Sequence, residues 1–219
     1  MTSNMLTAGI PILKAKGAKV HLSYGMDGLV PYSGGGENPG TDNVHQARAL
    51  ATRMAKNVED WDLDGVDIFT WGQWEAWFDK FGQSAAFHYF VFKFLREQLP
   101  PQKTISYTIQ KTQARTAEIS PWHPMTVTIA AAHQYMDYIN IGEGGGNKID
   151  LLIKELGVPA YKIGLLINYD REMDLQGINY YVSVLKEHGY RGLSFFSVNK
   201  EHNEFRGEFL KYIAQIMYT

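Results

Sequence analysis

The residues of this sequence best suited to chemistry collect in one segment, DLDGVDIFTWGQWEAW, which spans residues 62–77. It begins with aspartates and ends with tryptophans, around an apolar stretch that predicts a buried strand at 65–71. Carboxylates at the end of such a strand can act as general acids or bases. Aromatic rings at the same place can stack on a ligand or fill a core. The segment therefore predicts either a catalytic strand or an aromatic surface.

Two carboxylates are candidates for acid–base catalysis: Asp67 on this strand, and Glu143 at the end of a predicted strand at 136–144. Asp67 has a second interpretation, as a structural acid that hydrogen-bonds across the interior of the fold. Trp71 is interpreted either as a stacking platform for a ligand or as a plug in the pocket. The other candidate ligand-binding residues are Asp64, Tyr24, Tyr169 and Phe196.

Composition excludes several classes of function. The 219 residues carry a formal net charge of -2, so there is no basic field for nucleic acid or an anionic membrane. The absence of cysteine excludes disulfides and thiolate chemistry. The histidines lack metal-ligand spacing, so no metal and no other cofactor is predicted. We also predict no membrane span and no signal peptide at this N-terminus.

Short apolar runs alternate with longer segments of helical periodicity. The sequence predicts strands at 18–24, 65–71, 103–110, 136–144, 161–169 and 192–198, and helices at 43–60, 84–99, 177–190 and 205–218. Repeated strand–helix order is typical of a parallel sheet covered by helices. No linker divides the chain, so residues 1–219 are predicted to form one domain.

Two α/β architectures fit this alternation: an open doubly wound sheet and a (β/α) barrel of the TIM type. A dinucleotide-binding fold needs G-x-G-x-x-G directly after its first strand, but the glycines at 34–36 lie well inside a loop. Polar residues collect at the C-terminal ends of the predicted strands, where barrel enzymes keep their sites. The barrel is therefore the favoured prediction.

The segments AKGAKVHLSYG and LDGVDIFTW resemble the family 18 glycoside hydrolases, which are chitinases and endo-β-N-acetylglucosaminidases. That family carries K-V-x-x-S-x-G-G on one strand and D-x-x-D-x-D-x-E on the next. The four signature positions of the second pattern are occupied here by Asp64, Asp67, Phe69 and Trp71. The motif is thus degenerate at its last two positions.

Later segments extend the resemblance over about residues 14–199. MDYINIGEG is similar to the family strand D-x-x-N-x-M-x-Y-D, with matches at Asp137 and Asn140 and with Glu143 where the catalytic tyrosine is usual. YKIGLLINYD and GYRGLSFFSVN resemble the seventh and eighth barrel strands, the latter with Phe196 in place of the usual tryptophan.

The resemblance implies a mechanism that these departures remove. The last motif residue of the family is a glutamate that protonates the glycosidic oxygen, and the aspartate two residues before it helps to hold the substrate acetamide that acts as nucleophile. Phe69 and Trp71 can do neither. A positioned general acid typically contributes ~10²–10⁴-fold to the rate. We therefore expect a catalytically inactive domain.

Three functions follow from the resemblance. The first is an inactive family 18-like domain that binds a glycan containing N-acetylglucosamine or has a structural or assembly role. The second is an active chitinase or endo-β-N-acetylglucosaminidase with relocated acids, of which Asp67 and Glu143 are the candidates. The third is a purely structural, self-assembling protein with a filled barrel mouth. The resemblance also implies an extracellular setting.

The predicted barrel is incomplete at its N-terminus. Only about six strands are recognisable, and the family barrel has two strands before the one predicted at 18–24. The residues before it are predicted to form the helix that follows the second of these. Because open edges promote association, we expect a homo-oligomer, or a partner or missing segment that completes the barrel.

Overall fold

The computed structural model describes residues 3–25, 39–70, 83–109, 124–142, 149, 151–168, 175–196, 211–212 and 215–216. Its α-helices are α1 (Ser3–Ala15), α2 (Pro39–Asp60), α3 (Gln83–Gln98), α4 (Pro124–Ala132) and α5 (Leu175–His188). Its strands are β1 (His21–Gly25), β2 (Gly65–Thr70), β3 (Thr104–Ile109), β4 (Tyr138–Gly142), β5 (Ile163–Asn168) and β6 (Gly192–Phe196). Short helical turns occupy His133–Tyr135, Leu151–Glu155 and Ala160–Lys162.

The six strands form one parallel sheet whose spatial order is the order of the chain, from β1 to β6. A doubly wound sheet reverses its strand order at a switch point, and these strands have no such reversal. Consecutive, singly wound parallel strands are instead the arrangement of a TIM-type barrel wall. The predicted α/β class is confirmed. Within the described strands the sheet is not closed, because β1 pairs only with β2 and β6 only with β5.

One face of the sheet packs against the helices and forms the hydrophobic core. Residues of the strands point alternately to the two faces. On β2 to β5 the helix-facing positions are large, apolar and buried: Val66, Ile68, Ile105, Tyr107, Ile109, Ile139, Ile141, Ile163, Leu165 and Ile167. Burial of each such side chain contributes about 1.5–3 kcal/mol. The opposite side, which we call the inner face, carries the polar strand residues.

The predicted elements agree with the observed ones to within a few residues. The prolines at 100 and 101 end α3 at Gln98, because proline cannot continue a helix. Helix α2 begins at Pro39, four residues before its predicted start, since proline is well suited to the first helical position. Helix α4 was not predicted, because its sequence PMTVTIAAA lacks an amphipathic pattern. Of the helix predicted at 205–218, residues 211–212 and 215–216 are described, and they are helical.

Candidate functional site on the inner face

Asp67 lies in the middle of β2 on the inner face, and its carboxylate accepts hydrogen bonds from three hydroxyl groups. Ser106 Oγ and Thr108 Oγ1 on β3 each lie 2.7 Å from Oδ1. Ser23 Oγ on β1 lies 3.0 Å from Oδ2. The strand register explains this, because Ser23 and Ser106 stand directly beside Asp67 on the two neighbouring strands.

The hydrogen bonds continue from Thr108 across the sheet to β6. Asn140 Nδ2 on β4 donates to Thr108 Oγ1 at 2.9 Å, and Ser194 Oγ on β6 donates to Asn140 Oδ1 at 2.9 Å. Gly164 on β5 leaves room for this amide, since a Cβ atom there would lie 2.4 Å from Asn140 Oδ1. We call the following residues the inner-face network: Ser23, Asp67, Ser106, Thr108, Asn140 and Ser194.

A second group lies on the inner face nearer the N-terminal ends of the strands. The Tyr138 hydroxyl lies 3.3 Å from His21 Nδ1, and the guanidinium of Arg191 lies 4.5 Å from the Tyr138 ring centre. Burial lowers the pKa of His21 and raises the pKa of Tyr138. His21 Nε2 is buried and has no hydrogen-bond partner among the described residues. The lowered pKa of His21 favours the uncharged imidazole at neutral pH.

Asp64 is not brought together with Asp67. It precedes β2, at the N-terminal edge of the sheet, where its Oδ2 accepts the backbone N–H of Val20 at 2.9 Å. Lys19 Nζ lies 3.6 Å from Oδ1. Burial alone would raise the pKa of Asp64, but the Val20 hydrogen bond and the nearby lysines outweigh it, and the pKa is lowered. These contacts join β2 to the segment before β1.

Asp137 makes the same arrangement at the start of β4. Its Oδ2 accepts the backbone N–H of Ile105 on β3 at 2.7 Å, while its own N–H donates to the Ile105 carbonyl at 2.8 Å. Arg96 Nη2 on α3 donates to the same Oδ2 at 2.7 Å. Asp64 repeats the pattern, because its own N–H donates to the Val20 carbonyl at 2.8 Å. We call Asp64 and Asp137 the strand clamps.

Tyr24 lies on the other side of the sheet from Asp67. It stands beside the buried Ile68 in the β1–β2 register and packs on the helix side. Asn57 on α2 donates to the Tyr24 hydroxyl at 2.6 Å. Burial raises the pKa of Tyr24. The structure therefore does not bring Tyr24 to the predicted aromatic groove.

Phe69 follows Asp67 by two residues on β2, so it lies on the inner face, nearer the C-terminal end of the strand. It stands beside Thr108 in the register and is partly buried. Three predicted site residues, Trp71, Glu143 and Tyr169, lie outside the described residues. Phe196 is the last residue of β6, and its side chain is likewise outside the described part.

Three hydroxyl residues of the network were not predicted as site residues: Ser106, Thr108 and Ser194. Their signal is a polar side chain at every second position of an otherwise apolar strand, as in TISYTI of β3. Such alternation indicates a polar inner face, but it does not tell which distant carboxylate the hydroxyls will meet.

The described part of the chain includes no cluster of three or more His, Asp or Glu side chains placed to hold a metal ion. None of its helices combines the length and the apolar character needed to cross a membrane. A cavity of about 660 Å³ lies elsewhere, between the C-terminal parts of α2 and α3, with Lys56, Leu99 and Lys103 in its lining.

Solved structures with the same arrangement of strands and helices are chitinases and related enzymes. A GH18 chitinase from Pseudoalteromonas aurantia superposes with a TM-score of 0.71 and 21% identity over 99% of this chain and 82% of its own. A chitinase from Rhizomucor miehei gives 0.69 and 14%, over 99% and 87%. This chain has the family 18 fold. An endo-β-N-acetylglucosaminidase from Cordyceps militaris shares it with a TM-score of 0.65 and 15% identity, over 100% and 77%. No family model and no curated protein matches the sequence.

Proposed function

We propose that this chain is a carbohydrate-binding domain built on the family 18 fold, without the hydrolytic activity of the enzymes that share it. The ligand is a glycan that contains N-acetylglucosamine, met in an extracellular setting. The observation that carries the proposal is the position of Phe69. It lies on the inner face beside Thr108, two residues after Asp67 on β2. In the family that the sequence resembles, an aspartate occupies the position of Phe69.

The chemical reason is the loss of the two motif acids on which substrate-assisted hydrolysis depends. Phe69 cannot orient an acetamide or stabilise the cation that forms from it, and Trp71 cannot protonate a leaving oxygen. Asp67 remains, but its carboxylate accepts hydrogen bonds from Ser23, Ser106 and Thr108. In this proposal Asp67 organises a polar binding face, while Asp64 and Tyr24 support the sheet.

The test combines turnover and binding on the same sample. We expect isothermal titration calorimetry to detect binding of an N-acetylglucosamine oligomer, and product analysis to detect no cleavage. The double substitution Phe69→Asp with Trp71→Glu returns both motif acids, and it is expected to generate measurable cleavage. The matched control is Tyr180→Asp with Tyr161→Glu, which introduces the same two acids at exposed aromatic residues away from the inner face.

Two outcomes would contradict the proposal. Cleavage by the natural sequence that disappears in Glu143→Gln would instead support an enzyme with relocated acids. Absence of binding to every oligomer tested, with the fold intact, would support a purely structural protein.

Self-association is the second part of the proposal. The outer edges of β1 and β6 have no partner strand among the described residues, and open edges of parallel strands tend to be covered. We expect a dimer or larger oligomer in sedimentation velocity, with a mass above the 24.8 kDa of one chain. A stable, folded monomer at micromolar concentration would contradict this part alone.

A further inference from the structure

The hydrogen bonds of the inner-face network all run in one direction, toward Asp67. A carboxylate can only accept, so the hydroxyl protons of Ser106 and Thr108 are both committed to Oδ1. Ser106 Oγ is also 3.5 Å from the carbonyl of Val66, which is too long to compete with the 2.7 Å contact to Asp67. The hydroxyl protons of Ser106 and Thr108 are therefore both used.

This commitment determines the orientation of the Asn140 amide. Thr108 has no second proton to give, so the Asn140 group that faces it must be the NH₂. The carbonyl Oδ1 then faces β6, where it accepts the proton of Ser194. Ser194 Oγ is left with acceptor capacity only.

The other end of the network has the same polarity. Ser23 donates its proton to Asp67 Oδ2, so its oxygen is also limited to accepting. Ser23 is exposed, and Asp67 and Ser194 are partly exposed, whereas Ser106, Thr108 and Asn140 are buried. The hydroxyl oxygens that a ligand reaches at the two ends of the network are therefore hydrogen-bond acceptors.

The charge of this face points the same way. Asp67 is the only Asp, Glu, Lys or Arg within the six described strands. Its oxygens accept from neutral hydroxyls, and the guanidinium of Arg191 stacks on Tyr138, toward the N-terminal end of this face. Among the described strand residues, the inner face thus combines one negative charge with the acceptor oxygens of Ser23 and Ser194.

We propose that this face selects an amino sugar with a free ammonium group, that is, a glucosamine unit of a partly de-N-acetylated glycan, over the N-acetylated unit. The inference rests on the proposed function and narrows its ligand. An ammonium supplies three donors and no acceptor, which complements Asp67 and the oxygens of Ser23 and Ser194. An acetamide supplies one N–H donor and a carbonyl acceptor that would face other acceptors.

The experiment compares two five-sugar oligomers of equal length, one of glucosamine and one of N-acetylglucosamine, by calorimetry at about pH 6 and moderate salt. We expect the glucosamine oligomer to bind about tenfold more tightly, because its ammonium adds a coulombic attraction to the Asp67 carboxylate that the neutral acetamide lacks. Asp67→Asn should reduce the ratio to about one. Asp60→Asn is the matched control, since Asp60 on α2 pairs only with the exposed Lys56 among its described contacts, and it should keep the ratio.

A second variant separates the acceptor geometry from the charge. Ser194→Ala keeps Asp67 and removes the acceptor oxygen of Ser194. The preference for the glucosamine oligomer should therefore fall about threefold, which corresponds to part of one hydrogen bond. The thermal unfolding midpoint of each variant checks that it is folded.

The outcomes distinguish this inference from the proposed function. Equal binding of both oligomers, or tighter binding of the N-acetylated one, overturns the selection for an ammonium and leaves the glycan-binding proposal intact. If Asp67→Asn still prefers the glucosamine oligomer, the preference comes from the net negative charge of the chain. That result overturns the assignment of ammonium selection to the inner face. Failure of both oligomers to bind overturns the proposed function itself.

Discussion

Asp64 and Asp137 at the N-terminal edge of the sheet contrast with Asp67 on its inner face. The strand clamps each accept a backbone N–H of a neighbouring segment and lie near a cation, Lys19 or Arg96. Asp67 instead accepts only side-chain hydroxyls among its described hydrogen bonds.

The strand clamps and Asp67 differ in whether a ligand can replace their hydrogen-bond partners. A backbone N–H that loses a buried acceptor lowers the free energy of unfolding directly. The strand clamps therefore have a structural role. The donors to Asp67 are side-chain hydroxyls, so a ligand that binds its carboxylate leaves no backbone N–H unpaired. No lysine or arginine of the described strands stands beside it. A carboxylate of that kind is suited to a ligand.

The largest expected effect tests the strand clamps. Asp137→Ala leaves the N–H of the fully buried Ile105 without its side-chain acceptor and removes the partner of Arg96. We expect the free energy of unfolding to fall by about 2–3 kcal/mol, mostly from the unpaired N–H, because the ion pair is partly exposed. Urea denaturation measures this loss.

Asp60→Ala is the matched control for this prediction. Its described partner is the exposed Lys56, four residues earlier on α2, so the loss should stay within about 0.5 kcal/mol. Similar losses in the two variants would show that Asp137 is an ordinary surface acid, and the contrast with Asp67 would disappear.

A smaller effect is expected when the inner-face network is displaced without removing any of its members. In Gly164→Ala the added Cβ would lie 2.4 Å from Asn140 Oδ1 and would push the amide away from Ser194 and Thr108. The loss of two hydrogen bonds is expected to lower stability by about 1–2 kcal/mol.

The neighbouring glycine supplies the control for this substitution. Gly192 stands beside Gly164 in the β5–β6 register, and a Cβ there meets no atom within 4 Å. Gly192→Ala should therefore change stability by less than about 0.5 kcal/mol. If both alanine variants behave alike, the network does not depend on the position of Asn140.

The smallest expected effect is a pH dependence from His21. Burial lowers its pKa in the folded state below the unfolded value of about 6.5. The unfolded chain therefore binds more protons than the folded one between these two values. Stability should be complete above about pH 6.5 and should decrease as the pH falls toward the folded pKa.

Urea denaturation between pH 5 and 8 checks this dependence on the natural sequence and on His21→Gln. In His21→Gln the free energy of unfolding should no longer decrease as the pH falls below 6.5. His45→Gln changes an exposed histidine on α2 and should retain the slope. Burial is opposed by the charges of Asp64, Asp67 and Asp137, which raise the pKa of His21. An unchanged dependence of stability on pH in His21→Gln would mean that these charges offset the effect of burial.

Much of the fold could be predicted because the strands are short apolar runs separated by helices with clear periodicity. Their parallel order follows from that alternation. The helix α4 could not be predicted, since its apolar and β-branched residues suit a buried helix and a strand equally. The predictions that residues 1–219 form one domain and that Trp71, Glu143 and Tyr169 belong to the site remain predictions.

The sequence by itself determined which residue types stand in the motif, and so the replacement of two carboxylates by Phe69 and Trp71. The tertiary structure alone decided the partners of each acid. Ser23 and Tyr24 are adjacent in the chain, yet strand alternation sends one to Asp67 and the other to Asn57 on α2. The hydroxyls that surround Asp67 come from strands about forty residues away on either side. Only the register of the folded sheet brings them together, and no local pattern encodes that register.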